Sequence, residues 1–153
     1  MQIKFMKSAI KEAIKAEKKD EVPIGAVIVL DGKIIARAHN LMEKTQLATA
    51  HAEILAINKA CKKLKSWRLD NAEMYVTIEP CAMCAGAIAN ARMKKVYFGA
   101  YEFKSGAAQS KFRVLSDSGL NHKVEFEGGI LEETCANIIK NYFKAKRIQK
   151  SLD

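Results

Sequence analysis

Apolar residues along this chain fall either at helical spacing or in short β-prone runs, and the changes between the two mark out its elements. Met6, Ala9, Ile10, Ala13 and Ile14 recur at helical spacing with lysines between them, so residues 2–19 read as an amphipathic first helix. The run DEVPIG ends it. Two short β-prone runs follow, AVIVL and KIIARAH, around an Asp31-Gly32 pair that signals a hairpin turn. The polar stretch 40–49 reads as a loop, and Thr49 is placed to cap a helix over 51–64 that turns Ile54, Leu55 and Ile57 inward.

Beyond Trp67, EMYVTI is a third strand. Pro80 suits the first position of the next helix, where a missing N–H costs nothing, and CAMCAGAIANAR is small and apolar enough for that helix to be wholly buried. KKVYFGA reads as a fourth strand and KVEFEGGI as a short fifth, separated by a long connection over 101–120. Connections of that length without regular structure are usually functional or mobile. EETCANIIKNYFKAKRIQK closes the chain as a helix. With no repeat, linker or break in composition, the expectation is one domain over residues 1–153. Its expected architecture is a three-layer α/β/α arrangement around a five-stranded mixed sheet.

Composition narrows the function classes. At 153 residues the chain is long enough to build a core without disulfides or metal to hold it together. The longest apolar stretch, VPIGAVIVL, is far short of the roughly 20 residues that span a bilayer. Lys4, Lys7, Lys11 and Lys15 interrupt any signal-like apolar segment, so a cytoplasmic protein is expected. The 26 Lys and Arg against 17 Asp and Glu give a formal charge of +9, which favours an anionic partner, nucleic acid first among them.

Of the four cysteines, Cys61 and Cys135 sit singly in helical patterns and read as small buried apolar groups. Cys81 and Cys84 are different. Three positions apart in the first turn of a helix, they would share a face, and the partial positive charge of the helix end favours thiolate. Such a pair serves redox chemistry, a structural metal or an open metal site. No second CxxC is present, and no two of the three histidines have zinc-finger spacing. His51 lies thirty positions upstream at the start of another expected helix, two residues before Glu53. Three protein ligands and a water make an open zinc site, and a free carboxylate beside it can move the water's proton. H-x-E followed by P-C-x-x-C is the pattern of zinc nucleobase deaminases, with the glutamate as acid and base rather than ligand.

Several separated motifs carry a closer likeness: VPIGAVIV, TAHAEILAI, MYVTIEPCAMCAGAI, VYFGA, SGAAQS, GLNHKVEFEGGI and the basic YFKAKR. Together, over about residues 2–148, they resemble the bacterial tRNA-specific adenosine deaminases. The resemblance implies a cytidine deaminase-like fold and a homodimer that binds a tRNA anticodon stem-loop across both subunits. It implies zinc on His51, Cys81 and Cys84, with Glu53 carrying the proton as water attacks C6 of a flipped wobble adenine, giving inosine in an arginine tRNA. It also places Asn40 at the purine edge and Ile24 in the base pocket. Glu102, Asn121, His122, Lys123, Phe143, Lys144 and Arg147 fall at further RNA contacts. The chain departs from the family pattern at Leu47 and Ala48, where Asp-Pro is usual, at Glu102, where aspartate is common, and at Gln109, where glycine is frequent.

Two other readings share these motifs. A free-base deaminase, of guanine or cytosine, has the same HxE and PCxxC, and only the basic ending, the positive charge and SGAAQS favour RNA. A noncatalytic zinc-stabilised RNA-binding module is the other, and Glu53 discriminates against it, because a structural site has no use for an unligated carboxylate beside the metal.

Overall fold

The computed structural model describes residues 1–116 and 119–153. Its elements run α1 (Gln2–Lys18), β1 (Gly25–Leu30), β2 (Lys33–His39), α2 (Met42–Thr45), α3 (Ala52–Leu64), β3 (Glu73–Ile78), α4 (Ala82–Asn90), β4 (Lys95–Ala100), β5 (Glu125–Glu127) and α5 (Glu132–Leu152). The hairpin forms where the sequence signals it. Asp31 and Gly32 both take positive φ, 52° and 77°, the backbone that a two-residue turn between twisted strands requires.

The sheet order is β2-β1-β3-β4-β5. β1 pairs antiparallel with both β2 and β3, and β3, β4 and β5 are parallel. The mixed five-stranded sheet expected from the sequence is therefore present. One face carries α3 and α4 over Ile28, Met74, Val76, Val96 and Phe98. The other carries α1 and α5 over Val27, Val29, Tyr75 and Tyr97. Strand residues alternate between these two cores as the pleat dictates. Phe98 is fully buried, so truncating it to Ala would cost about 3–5 kcal/mol.

Both helices on the second face come close because glycines face them. A Cβ at Gly25 would run into the α1 backbone at Ala9 and Ala13, and one at Gly99 would run into Cys135 of α5. A strap also joins the first and last helices: Asp20, in the turn after α1, accepts hydrogen bonds from the Tyr142 hydroxyl (3.2 Å) and Lys146 (2.6 Å).

Three local expectations are corrected. The 40–49 stretch contains the one-turn helix α2, whose first amides, Glu43 and Lys44, donate at 3.0 and 2.8 Å to the buried carboxylate of Glu21. Pro80 lies outside α4, with Cys81 as the capping residue, so the proline rigidifies the approach rather than the first turn. Nor is α4 wholly buried: Cys84, Ala85, Ile88 and Ala89 face the core while Ala82 and Met83 are exposed.

Candidate active site

The carboxyl ends of β2, β3 and β4 and the start of β1 share one end of the sheet. This follows from the parallel pairing of β3 with β4, ending at Ile78 opposite Ala100, and from Gly25 opposite His39. Ligand sites of open α/β sheets gather at such ends. Here two helices begin, α3 after the β2 connection and α4 directly after β3. Their capping residues are His51 and Cys81.

His51 Nδ1 lies 3.5 Å from Cys84 Sγ and 3.7 Å from Cys81 Sγ. The three donor atoms lie within 4.8 Å of one another and can hold a metal ion. Cys84 is fully buried, and His51 and Cys81 are half-buried. Electrostatics separate the two sulfurs. The hydrogen bond from Cys84 and then the one to His51 outweigh burial and bring Cys81 down to about 4, so it is the thiolate. Its bond to Cys81, together with burial, pushes the Cys84 thiol up. His51 is raised, chiefly by its bond to Cys81 and against the effect of burial.

Glu53, in the first turn of α3, is 3% exposed. Burial pushes its carboxyl up to about 7, and its surroundings include Cys81, His51 and a hydrogen bond with Cys84. A carboxyl poised there exchanges a proton in either direction at neutral pH. It is the feature that a purely structural metal site lacks.

Asn40 and Ile24 complete this end. The Asn40 N–H donates to the Ile24 carbonyl at 3.2 Å, which sets the two segments side by side. Asn40 Oδ1 accepts the Ala52 N–H at 2.7 Å, so this residue caps α3, and Thr49 does not. Only Oδ1 of the amide is used; its NH2 makes no hydrogen bond among the described residues. Of the apolar residues expected to face inward on α3, Ile57 is buried, whereas Ile54 and Leu55 are half-buried, and Ala52, Ala56 and Ala60 fill the closest contacts.

The remaining expected contacts lie farther out. Glu102 begins the loop after β4, its carboxylate accepting the Lys104 N–H at 2.9 Å. Phe143, Lys144 and Arg147 are exposed on α5. Asn121, His122 and Lys123 are not brought to the site: His122 Nε2 donates to the Met93 carbonyl at 2.7 Å, before β4 begins. At about 3.3 Å per strand residue, Met93 is some 20 Å from the cysteine end of β4.

Sequence reasoning passed over Glu79, although it stands inside a quoted motif. It is 2% exposed, directly before Pro80. Oε2 accepts the N–H groups of Ala108 (3.1 Å), Gln109 (3.0 Å) and Ser110 (3.0 Å). Oε1 accepts the Glu102 N–H (3.1 Å) and the Ser110 hydroxyl (2.5 Å). An acid at the end of an apolar strand, just before a proline, is the one signal the sequence offered. His39 and Glu12 form another unforeseen buried pair, Nδ1 to Oε1 at 3.0 Å, immediately before Asn40.

Comparison with known proteins agrees with this geometry. A profile of MafB19-like deaminases matches residues 2–147. The tRNA-specific adenosine deaminase of Bacillus subtilis is 51% identical over 95% of this chain and 91% of its own length. A solved structure from a study of A-to-I editing by deaminases acting at the wobble position of transfer RNA is 46% identical. It superposes with a TM-score of 0.86 over 88% of this chain and 98% of that one. The guanine deaminase of Nitrosomonas europaea, 21% identical with a TM-score of 0.80 over 92% of this chain and 83% of that one, shares the fold. With a buried acid beside two sulfurs and an imidazole, and with half its residues shared along nearly its whole length, the chain belongs to the tRNA-specific adenosine deaminase family.

Proposed function

We propose that the protein hydrolytically deaminates the wobble adenosine of a tRNA anticodon loop to inosine, with an arginine tRNA as substrate. The observation that carries this reading is the convergence of His51, Cys81 and Cys84 on one point with the unligated, buried Glu53 alongside. Family membership supplies the substrate class; free-base deaminases are more distant neighbours.

Zinc fits the three donors. Zinc bonds of about 2.0–2.3 Å at tetrahedral angles put nitrogen and sulfur about 3.6 Å apart. The two observed separations are 3.5 and 3.7 Å. His51, Cys81 and Cys84 would hold the zinc, which would supply a Lewis acid that makes water nucleophilic near neutral pH. Glu53 would accept a proton from the attacking water, hold it in the buried pocket and deliver it to the adenine ring nitrogen as the C6–O bond forms. It would then move the proton of the new C6 hydroxyl to the exocyclic amine, so that the C6–N bond breaks and ammonia leaves. The NH2 of Asn40 is free to donate to a ring acceptor of the flipped base, because the helix cap occupies only its oxygen. Ile24, held beside it, supplies an apolar wall.

An adenine is reached only when unstacked, and an anticodon loop presents unpaired bases. Phe143, Lys144 and Arg147 line the exposed side of α5 as contacts for that RNA. Asn121, His122 and Lys123, if they touch RNA, serve nucleotides other than the target. The enzyme works as a homodimer, for which exposed Met83 beside the metal ligands offers apolar surface. Among the described residues no helix is long and apolar enough to cross a membrane, and the four free cysteines suit a reducing cytoplasm.

The test is incubation of the zinc-loaded protein with anticodon stem-loops bearing A, C or G at the wobble position, read by mass. Conversion of A to inosine alone is expected. Turnover of free guanine or cytosine with no change in the A-bearing RNA would replace this reading with the free-base one.

A further inference from the structure

The loop after β4 is sewn to the turn that carries Cys81. Ala107 N–H donates to the Pro80 carbonyl at 2.7 Å, and Gly106 forms an antiparallel bridge with Cys81. At the centre of this seam is the Glu79 carboxylate with its four amides and one hydroxyl. Gly106 leaves it room: a Cβ there would lie 2.6 Å from Glu79 Cδ and Oε1. The outer side of the same loop opens a groove lined by Tyr101, Phe103, Gln109, Ser110 and Arg113, with Ser116 and the Glu132 carboxylate completing its wall. Tyr101 and Phe103 stack at 6.2 Å with rings 15° apart, and Phe103 is 74% exposed. The exposed Phe103 ring and the Arg113 guanidinium in one groove suit an unpaired nucleotide, which needs stacking surface and a phosphate partner.

Two of the residues lining the groove, Gln109 and Ser110, are held by Glu79. Charge-assisted bonds from a fixed carboxylate give a loop that is set before substrate arrives, and substrate then need not meet the entropy of ordering it. We propose that Glu79 is a positioning residue: by gathering the amides of Glu102, Ala108, Gln109 and Ser110, it shapes a groove that receives the unpaired nucleotide next to the target base. This rests on the RNA-editing reading above. It assigns Glu79 no contact with the reacting atoms.

Glu79→Gln tests it. The substituted amide turns a donor toward N–H groups, so three of the five bonds are lost if it replaces Oε2, and the Glu102 bond if it replaces Oε1, where the Ser110 hydroxyl can turn to accept. On a wobble-A stem-loop, Glu79→Gln should raise KM about tenfold or more while kcat changes less than about threefold and metal content holds. On a stem-loop made abasic at the nucleotides flanking the target, the KM penalty should shrink to about threefold or less. Amide exchange of Glu102, Ala108, Gln109 and Ser110 reads the anchor without RNA, and in Glu79→Gln it should quicken while exchange within α4 does not.

Should Glu79→Gln fold poorly, Ser110→Ala removes a single bond and should show the same KM-weighted loss in smaller measure. The proposal is overturned by unchanged loop-amide exchange, by a loss that falls on kcat and metal content instead of KM, or by a penalty that persists in full on the abasic RNA. A wild-type protein inactive on every stem-loop would instead sink the editing reading. In that case a quickened exchange in Glu79→Gln would still uphold the anchor, and an unchanged one would remove it.

Discussion

Glu53 and Glu79 are buried glutamates at the same end of the sheet, 3% and 2% exposed, each within two residues of a metal-ligand candidate. Their surroundings tune them in opposite directions. Burial dominates Glu53 and raises it to about 7. Burial also acts to raise Glu79, but the amides of Gln109, Ser110 and Glu102 and the Ser110 hydroxyl outweigh it and hold the carboxyl below its usual range. Glu53 has only its own N–H and the Cys84 thiol to set against burial, whereas Glu79 has four amides and a hydroxyl. Degree of burial alone does not tell a reactive carboxylate from a structural one; the donors around it do.

The sharpest way to break this contrast is at the chemistry. Glu53→Gln should keep metal and fold while lowering kcat by about 10²–10⁴-fold, against the KM-weighted loss for Glu79→Gln. Inosine formation and metal content together check this, and turnover near the native rate in Glu53→Gln would remove its assigned role.

The pH dependence of folding should separate the two acids by sign. Glu53, raised in the folded protein, contributes stability below about pH 4.5 that is lost as pH rises through about 7. Glu79, lowered, contributes stability above about pH 4.5 that is lost as pH falls through its folded value. Urea midpoints of the metal-free protein across pH 3 to 8 should therefore lose their neutral-side decline in Glu53→Gln and part of their acid-side decline in Glu79→Gln. Identical profiles for the two variants would contradict the contrast.

A smaller effect concerns Asn40, which uses its oxygen for the helix and whose NH2 is proposed above to meet substrate. Asn40→Ala should cost about 1 kcal/mol of stability through the lost cap. Asn40→Asp retains the cap and should stay near native stability in thermal unfolding, yet both should lose activity. Smallest is the charge on α5: neutralising Lys144 or Arg147 singly should reduce the slope of log affinity against log salt by about one each if they meet phosphates. A slope unchanged in both would take α5 out of the RNA interface.

What the chain disclosed by inspection follows a physical rule. Features encoded by neighbours were legible: the short β-prone runs of β1 to β4, the Asp31-Gly32 turn, and the His51, Glu53, Cys81 and Cys84 pattern whose spacing serves two helix starts. Features made by distant backbone were not. Thr49 had the right chemistry and position for a cap, but Asn40, twelve residues before the Ala52 amide it accepts, occupies the site because β2 delivers it there. Glu21 and Glu79 leave little trace in sequence since their partners are main-chain amides 22 to 31 positions away, common to almost any residue. Pro80 is compatible with a helix start or with the step before one, and local preference could not choose between them.

The placement of α5 has a consequence for how the protein is made. Tyr75 and Tyr97, stacked 4.6 Å apart on the sheet, share their core with Cys135, so a helix made after all five strands covers part of that surface. A nascent chain stalled before Glu132 carries the β4 side of the sheet bare, and Asp20 waits for Tyr142 and Lys146 until α5 is made. Chaperone capture during translation should centre on that aromatic face.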